Sequence, residues 1–359
     1  MAGDVIADAV QSIREPDAVS RQDALALQSR LTKPAGALGR LEELAVWAAG
    51  VARTQAPLFD RKVIVVAAAD HGVAAEGVSA YPQDVTWQMV MNFLRGGAAV
   101  NVLARQCGAD VRVVDAGVRR DFDDAAVRSV KVRRGSDSMT RGPAMPRDEA
   151  ERLVARGIDF ARELRTDGFD AIALGDMGIG NTTAAAAMTA VFTGAPPRMT
   201  CGRGTGIDDA AFAAKVAAIE RAIEVNEPDA SDGIDVLAKV GGCELAFLAG
   251  VAIGAASSGL PVLLDGYPTT ASALVAASMA PANVAYMVAS HVSAEPGHRI
   301  ALDHLGLRPL LDLEMRLGEG SGAALAFSVL DAALRLPREM ATFDSAGVSR
   351  STSETRPEA

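Results

Sequence analysis

The chain is poor in the residues that would tie it to several common function classes. Its 359 residues include three cysteines, Cys107, Cys201 and Cys243, too few and too scattered for a disulfide framework or a cysteine-based zinc site. The four histidines, His71, His291, His298 and His304, show no metal-ligand spacing, so no metal is assigned and no cofactor is expected. Only five of the 35 basic residues are Lys, the formal net charge is −10, and no stretch concentrates basic residues. That balance argues against nucleic acid as a partner. The opening stretch MAGDVIADAVQSIREPD is acidic and lacks the apolar run of a signal peptide. With unpaired thiols, this points to the cytoplasm. A membrane is not expected either. Residues 245–264 carry no charge, but Ser257, Ser258, Gly259 and Pro261 interrupt them. They read as a buried helix, a short turn and a buried strand ending at Asp265.

What the chain does have is apolar residue, 49% of the total, enough for a large core. Five short apolar runs end in polar or glycine-marked turns: 63–72, 111–117, 169–176, 261–266 and 284–291. Continuous apolar runs of that length suit strands buried on both faces, as in a parallel sheet. Amphipathic helical stretches alternate with them at 83–107, 148–165, 208–225, 231–239 and 269–279. The alternation predicts an α/β fold, a Rossmann-like parallel sheet with helices on both faces. Residues 1–55 and 298–343 read as helical and are expected to form a small helical domain from the two terminal segments. Residues 56–297 would form the large nucleotide-binding domain, and the polar tail 344–359 would be disordered.

The strand ends carry Asp70–His71, Asp115, Asp176, Asp265 and Ser290–His291. In an open parallel sheet the ligand crevice lies outside the carboxyl ends of the strands. Those side chains are therefore expected around one pocket, with Asp115 and Asp265 serving as helix N-caps.

Three glycine-rich segments carry the chemistry. GDMGIGNTT, residues 175–183, joins a strand to a helix. Gly178 and Gly180 would allow positive φ and close approach of a ligand, and Asn181 or Thr182 would cap a helix whose N–H groups favour an anion. It lacks the Lys of a P-loop and the spacing of a dinucleotide fingerprint. A tight, well-capped turn would look the same. CGRGTGIDDAAFAAK, 201–215, brings Gly204 and a helix bearing Lys215, a candidate counter-charge for a phosphate; a solvated helix lysine is the plainer reading. RLGEGSGAALAF, 316–327, sets Glu319 between two glycines ahead of an apolar helix. Burial would raise its pKa and the helix dipole would lower it. The sequence leaves open which wins, although a general base needs the first. Tyr81, Gln88 and Met177 could form a slot for a flat aromatic ligand, whereas Trp87 and Met91 read as core.

Together these segments resemble the nicotinate-nucleotide–dimethylbenzimidazole phosphoribosyltransferase family. The resemblance runs from about residue 31 to 335 and rests on LTKPAGALGRLEELA, ADHGVAAEGVSAYPQDVT, GDMGIGNTT, GRGTGIDD, GGCELAFLAG, LDGYPTTASAL, SHVSAEPGH and RLGEGSGAA, in family order. It implies transfer of the phosphoribosyl group of nicotinate mononucleotide to 5,6-dimethylbenzimidazole, in assembly of the cobalamin lower ligand, by a homodimer. Carried over motif by motif, Glu319 takes the general-base position and Asp176 a second catalytic one. Gly178, Gly180, Asn181, Thr182, Gly204 and Lys215 fall where the ribose phosphate is held, and Ser290 among the substrate contacts. The family's usual opening motif has Glu where this chain has Asp176, one methylene shorter. The residue chemistry is compatible with such a transfer. A pyridinium leaves as a neutral ring, so neither an acid nor a metal is required. Transfer to another aromatic base, hydrolysis of the mononucleotide, and nucleotide binding without catalysis are the alternatives.

Overall fold

A computed structural model describes residues 1–204 and 206–350. Six parallel strands form one sheet: β1 (Lys62–Ala69), β2 (Ala109–Gly117), β3 (Val127–Ser129), β4 (Ala171–Met177), β5 (Val262–Leu264) and β6 (Met287–Ala289). Their order is β3-β2-β1-β4-β5-β6, the doubly wound arrangement of dinucleotide-binding folds. The chain reverses direction across the sheet between β1 and β4. Their carboxyl ends, at Ala69 and Met177, flank that switch point.

Burial explains the unbroken apolar strands. In β1, Val63, Val65 and Ala67 belong to the main core with residues of the helices Arg147–Thr166, Cys243–Ser257 and Tyr267–Met279. The alternate residues Ile64, Val66 and Ala68 are equally buried on the other face, where Gly320 closes on Ile64. Helix Cys243–Ser257 is buried along nearly its whole length and is followed by a turn and β5, as the segmentation of 245–264 predicted. No helix of the described residues is long and apolar enough to cross a membrane. The helical run expected at 83–107 is two helices, Val85–Leu94 and Ala99–Cys107, parted at Gly96–Gly97, where Gly96 takes φ +72.

Two compact units emerge. The larger holds Met1–Glu15 and Asp60–Phe327, including the whole sheet. The smaller holds 16–59 with the chain from Ser328. Within the smaller unit, helices Ala18–Gln28 and Arg40–Ala52 pack together, and Leu31 bridges to Thr342. These boundaries differ from the expected 1–55 and 298–343. Helix Ala2–Ser12 packs on Arg147–Thr166 of the larger unit, where Asp8 pairs with Arg162 at 2.7 Å. Residues 298–327 belong to the larger unit: His298 is 1% exposed, and Glu319 and Gly320 abut Gly175 of β4. Of the tail expected to be disordered, Phe343–Ala346 form a short helix capped by Thr342, and 351–359 lie outside the described residues.

Candidate active site

A cavity of about 340 Å³ opens at the switch point, within the size range of small-molecule sites. Its walls come from the loop after β1 (Val78, Ser79, Tyr81), the GDMGIGNTT loop, Gly204, the segment after β5 (Gly266), the segment after β6 (His291, Ser293, Glu295) and Arg316–Gly318. Six separate segments thus converge on one edge of the sheet. The last is aimed there by pairing: Leu311 bridges in parallel to His291, and Ala294 N–H donates to Met315.

The GDMGIGNTT loop is shaped by its glycines in two different ways. Gly180 takes φ +97 and is itself the N-cap of the helix Asn181–Thr193. Gly178 does not need positive φ; a Cβ there would come within 2.6 Å of the Ala69 carbonyl. Neither Asn181 nor Thr182 caps the helix, contrary to expectation. Asn181 instead donates through Nδ2 to Asp176 Oδ2 at 2.8 Å, and Thr182 Oγ1 accepts from Lys215 Nζ at 2.9 Å. The loop is fixed from below by the Ile179 N–H, which donates to the buried Thr86 hydroxyl.

Lys215 joins the two glycine loops. Its ammonium also donates to the Gly202 carbonyl at 3.1 Å, and the side chain is 1% exposed. The plain reading of a solvated helix lysine is therefore excluded. Burial holds its pKa below the usual lysine value, with the Glu295 charge acting the other way. Gly204 is clamped on both sides of its peptide: its N–H donates to Glu295 Oε1 at 2.8 Å and its carbonyl accepts from Arg316 at 3.0 Å. Lys215 stands behind Gly204 and Thr182, which line the cavity, and is not itself among the lining residues described.

Carboxylates gather around Asp176 and Gly318 of the lining, although Glu319 and Asp265 are not themselves among the lining residues described. Glu319 lies in a turn of three consecutive left-handed residues, Gly318 (φ +83), Glu319 (φ +66) and Gly320 (φ +85). It is 6% exposed, and no hydrogen bond among the described residues holds its carboxylate. Burial, helped by the nearby Asp265 charge, lifts its pKa to about 7. The open question between burial and the helix dipole resolves for burial because Asp265 occupies the dipole. Its Oδ1 accepts from Gly322 and Ala323 N–H and its Oδ2 from Gly320 N–H. Asp265 is thus an N-cap, though for the distant helix Ser321–Glu339 rather than the one that follows it. Its own pKa is pushed up to about 7 by burial against those three donors. Asp176 is displaced upward as well, by burial first and then by Asp265, Glu244 and Glu319. Its Oδ1 meets no partner among the described residues, and Gly318 packs against the carboxylate. Asp115, expected as a cap, instead accepts from Gly117 and Val118 N–H and pairs with Lys131 at 2.8 Å.

The aromatic slot is only partly assembled. Tyr81 and Met177 line the cavity, whereas Gln88 is exposed on helix Val85–Leu94 and is not among the lining residues described. Trp87 is not core; it lies at the surface between Arg120 and Phe122. Ser290 is fully buried behind the lining, its hydroxyl donating to the Asp265 carbonyl at 2.9 Å. Reading the sequence missed Arg316, Ser293 and Glu295 as cavity residues. The signal was present, since two stand in SHVSAEPGH and one opens RLGEGSGAA. Among the described residues, no group of His, Cys, Asp and Glu is placed to hold a metal.

Comparison with known proteins agrees with this geometry. A phosphoribosyltransferase family model matches residues 13–348. The nicotinate-nucleotide–dimethylbenzimidazole phosphoribosyltransferase of Desulforamulus reducens is 50% identical over 348 residues, 96% of this chain and 99% of that one. Its counterpart in Chloroflexus aggregans is 54% identical over 323 residues, 90% of this chain and 92% of that one. A crystal structure of the Thermus thermophilus enzyme of that name superposes with a TM-score of 0.89 at 47% identity, covering 93% of this chain and all of that one. With its sheet order, its two glycine loops and its Gly-Glu-Gly turn in one place, the chain belongs to the nicotinate-nucleotide–dimethylbenzimidazole phosphoribosyltransferase family.

Proposed function

We infer that the protein transfers the phosphoribosyl group of nicotinate mononucleotide to 5,6-dimethylbenzimidazole, giving α-ribazole 5′-phosphate and nicotinate, in cobalamin lower-ligand assembly. The observation that carries this reading is Glu319, a carboxyl lifted to about 7 beside a cavity built on two glycine loops. A base with a pKa near the working pH both exists deprotonated and accepts a proton well. Glu319 removes the benzimidazole N–H proton while the other ring nitrogen attacks C1′ of the ribose. The bond from C1′ to the pyridinium nitrogen breaks, and nicotinate leaves with a neutral ring.

The backbone of Gly178, Gly180 and Gly204, with Asn181 and Thr182, cradles the ribose phosphate. Lys215 supplies the positive charge from behind through the Thr182 hydroxyl, and so acts as a positioning residue for that loop. Asp176 serves the loop through Asn181 and faces the reacting carbon from the cavity wall. Burial and the neighbouring acids raise its pKa, and the cationic pyridinium of the nucleotide would act in the opposite direction. Tyr81 and Met177 flank the acceptor base, and Ser290 supports His291 from behind. The enzyme acts as a homodimer in the cytoplasm, a setting consistent with three buried cysteines that form no disulfide among the described residues.

The test is an assay of purified protein with nicotinate mononucleotide and a panel of aromatic bases, with products identified by mass. Nicotinate and α-ribazole phosphate should form together, and only when dimethylbenzimidazole is present. Nicotinate released without a base would mean hydrolysis, and another preferred base would reassign the acceptor.

A further inference from the structure

His291 lines the cavity and is 2% exposed, yet neither of its ring nitrogens is used by a charge. Its Nδ1 lies 3.1 Å from the Ser290 hydroxyl. That hydroxyl has one proton, and it goes to the Asp265 carbonyl. Ser290 must therefore accept at His291, so the proton of the imidazole sits on Nδ1. Nε2 is left with a lone pair, has no partner among the described residues and is not one of their fully enclosed polar atoms. Burial keeps the ring neutral by holding its pKa down to about 4. The ring is also locked in orientation. A side chain at Gly322 would run into it, and the His298 ring stands edge-on at 6.0 Å. His298 is fixed in its turn, accepting at Nδ1 from Ser293 N–H and donating from Nε2 to Thr270.

We propose that His291 binds a ribose hydroxyl of the mononucleotide, accepting its hydrogen bond at Nε2. This rests on the transfer reaction inferred above and deepens it. A lone pair requires a donor, which excludes the nicotinate carboxylate and an ionised phosphate. The remaining donors are the ribose 2′ and 3′ hydroxyls and the benzimidazole N–H. Position selects the ribose. On one side of His291 stand Ser293 and Glu295, leading to Gly204 and the phosphate end. On the other stand Gly266 and Asp265, leading to the Glu319 turn. On the transfer reading the ribose lies in that interval, between its phosphate and its anomeric carbon.

The experiment measures binding of nicotinate mononucleotide and its 2′-deoxy and 3′-deoxy analogues by calorimetry. Wild-type protein should bind one deoxy analogue about tenfold more weakly than the parent. In His291→Asn the amide can still reach Ser290 but offers nothing at the Nε2 position. The parent should weaken about tenfold there, and the difference from that analogue should vanish. Equal binding of all three by wild type overturns the proposal, as does discrimination that persists in His291→Asn. If that variant melts early, the wild-type comparison decides alone. If the parent mononucleotide does not bind wild type at all, the transfer reading falls instead. Loss of dimethylbenzimidazole binding without loss of ribose discrimination would assign Nε2 to the acceptor base and overturn the proposal.

Discussion

Lys215 and Glu319 are both buried ionisable groups at the edge of one cavity, and the fold treats them in opposite ways. Lys215 has oxygen acceptors from both glycine loops and a carboxylate near it, so its charge is compensated before any ligand arrives. Glu319 has no hydrogen bond among the described residues and has acids for neighbours. Partnered burial makes a fixed element, and unpartnered burial makes a titrating one. One end of the cavity is therefore suited to holding a substrate and the other to moving a proton.

The sharpest way to break this contrast is at Glu319. Glu319→Gln should cut turnover by about 10³ while leaving affinity for nicotinate mononucleotide within about twofold. Steady-state rates and calorimetry would separate the two, and surviving turnover would move the base elsewhere. Lys215→Met keeps the buried volume and removes the charge. It should raise the Kd of the mononucleotide between about tenfold and a hundredfold, with less effect on the rate of the bound complex. Unchanged affinity would remove Lys215 from the phosphate site.

A pH series tests the titrating end. With Glu319 near 7, kcat/KM should climb about tenfold per unit at acid pH and level off above pH ~7. Stability should run the other way. Asp265 and Glu319 titrate near 7 when folded, well above ordinary carboxylates. Their contribution is complete below the unfolded values near 4 and is lost as pH rises through about 7. Tm should fall across that window, and fall less in Glu319→Gln. The smallest effect belongs to Arg316, which is exposed and makes one bond to Gly204. Arg316→Ala should change turnover by no more than about threefold.

Much of this was legible in the chain. Four of the six strands, β1, β4, β5 and β6, announce themselves as apolar runs because both their faces are buried, whereas β2 is fully buried only from Val113 onward. The sixth, Val127–Ser129, has three residues and a polar composition, so no periodicity could reveal it. The glycine loops and the Gly-Glu-Gly turn were readable because left-handed backbone and close approach leave glycines behind. Gly178 and Gly180 looked alike in sequence, however, and differ in the fold. Long-range partners were not readable. Nothing local links Lys215 to Thr182, or Asp265 to a helix starting at Ser321. Those two bonds decide which acid caps, which lysine is buried and which carboxyl titrates.

The backbone at Glu319 also bears on how this position can change. A left-handed φ of +66 suits Gly, Asn and Asp far better than it suits Glu. Asp would keep a carboxylate there with less strain, one methylene shorter. The side chain's reach, more than its charge, is then what the longer acid contributes, and an Asp at 319 should fold at least as stably while turning over poorly. Variation at this residue would trade heat resistance directly against rate.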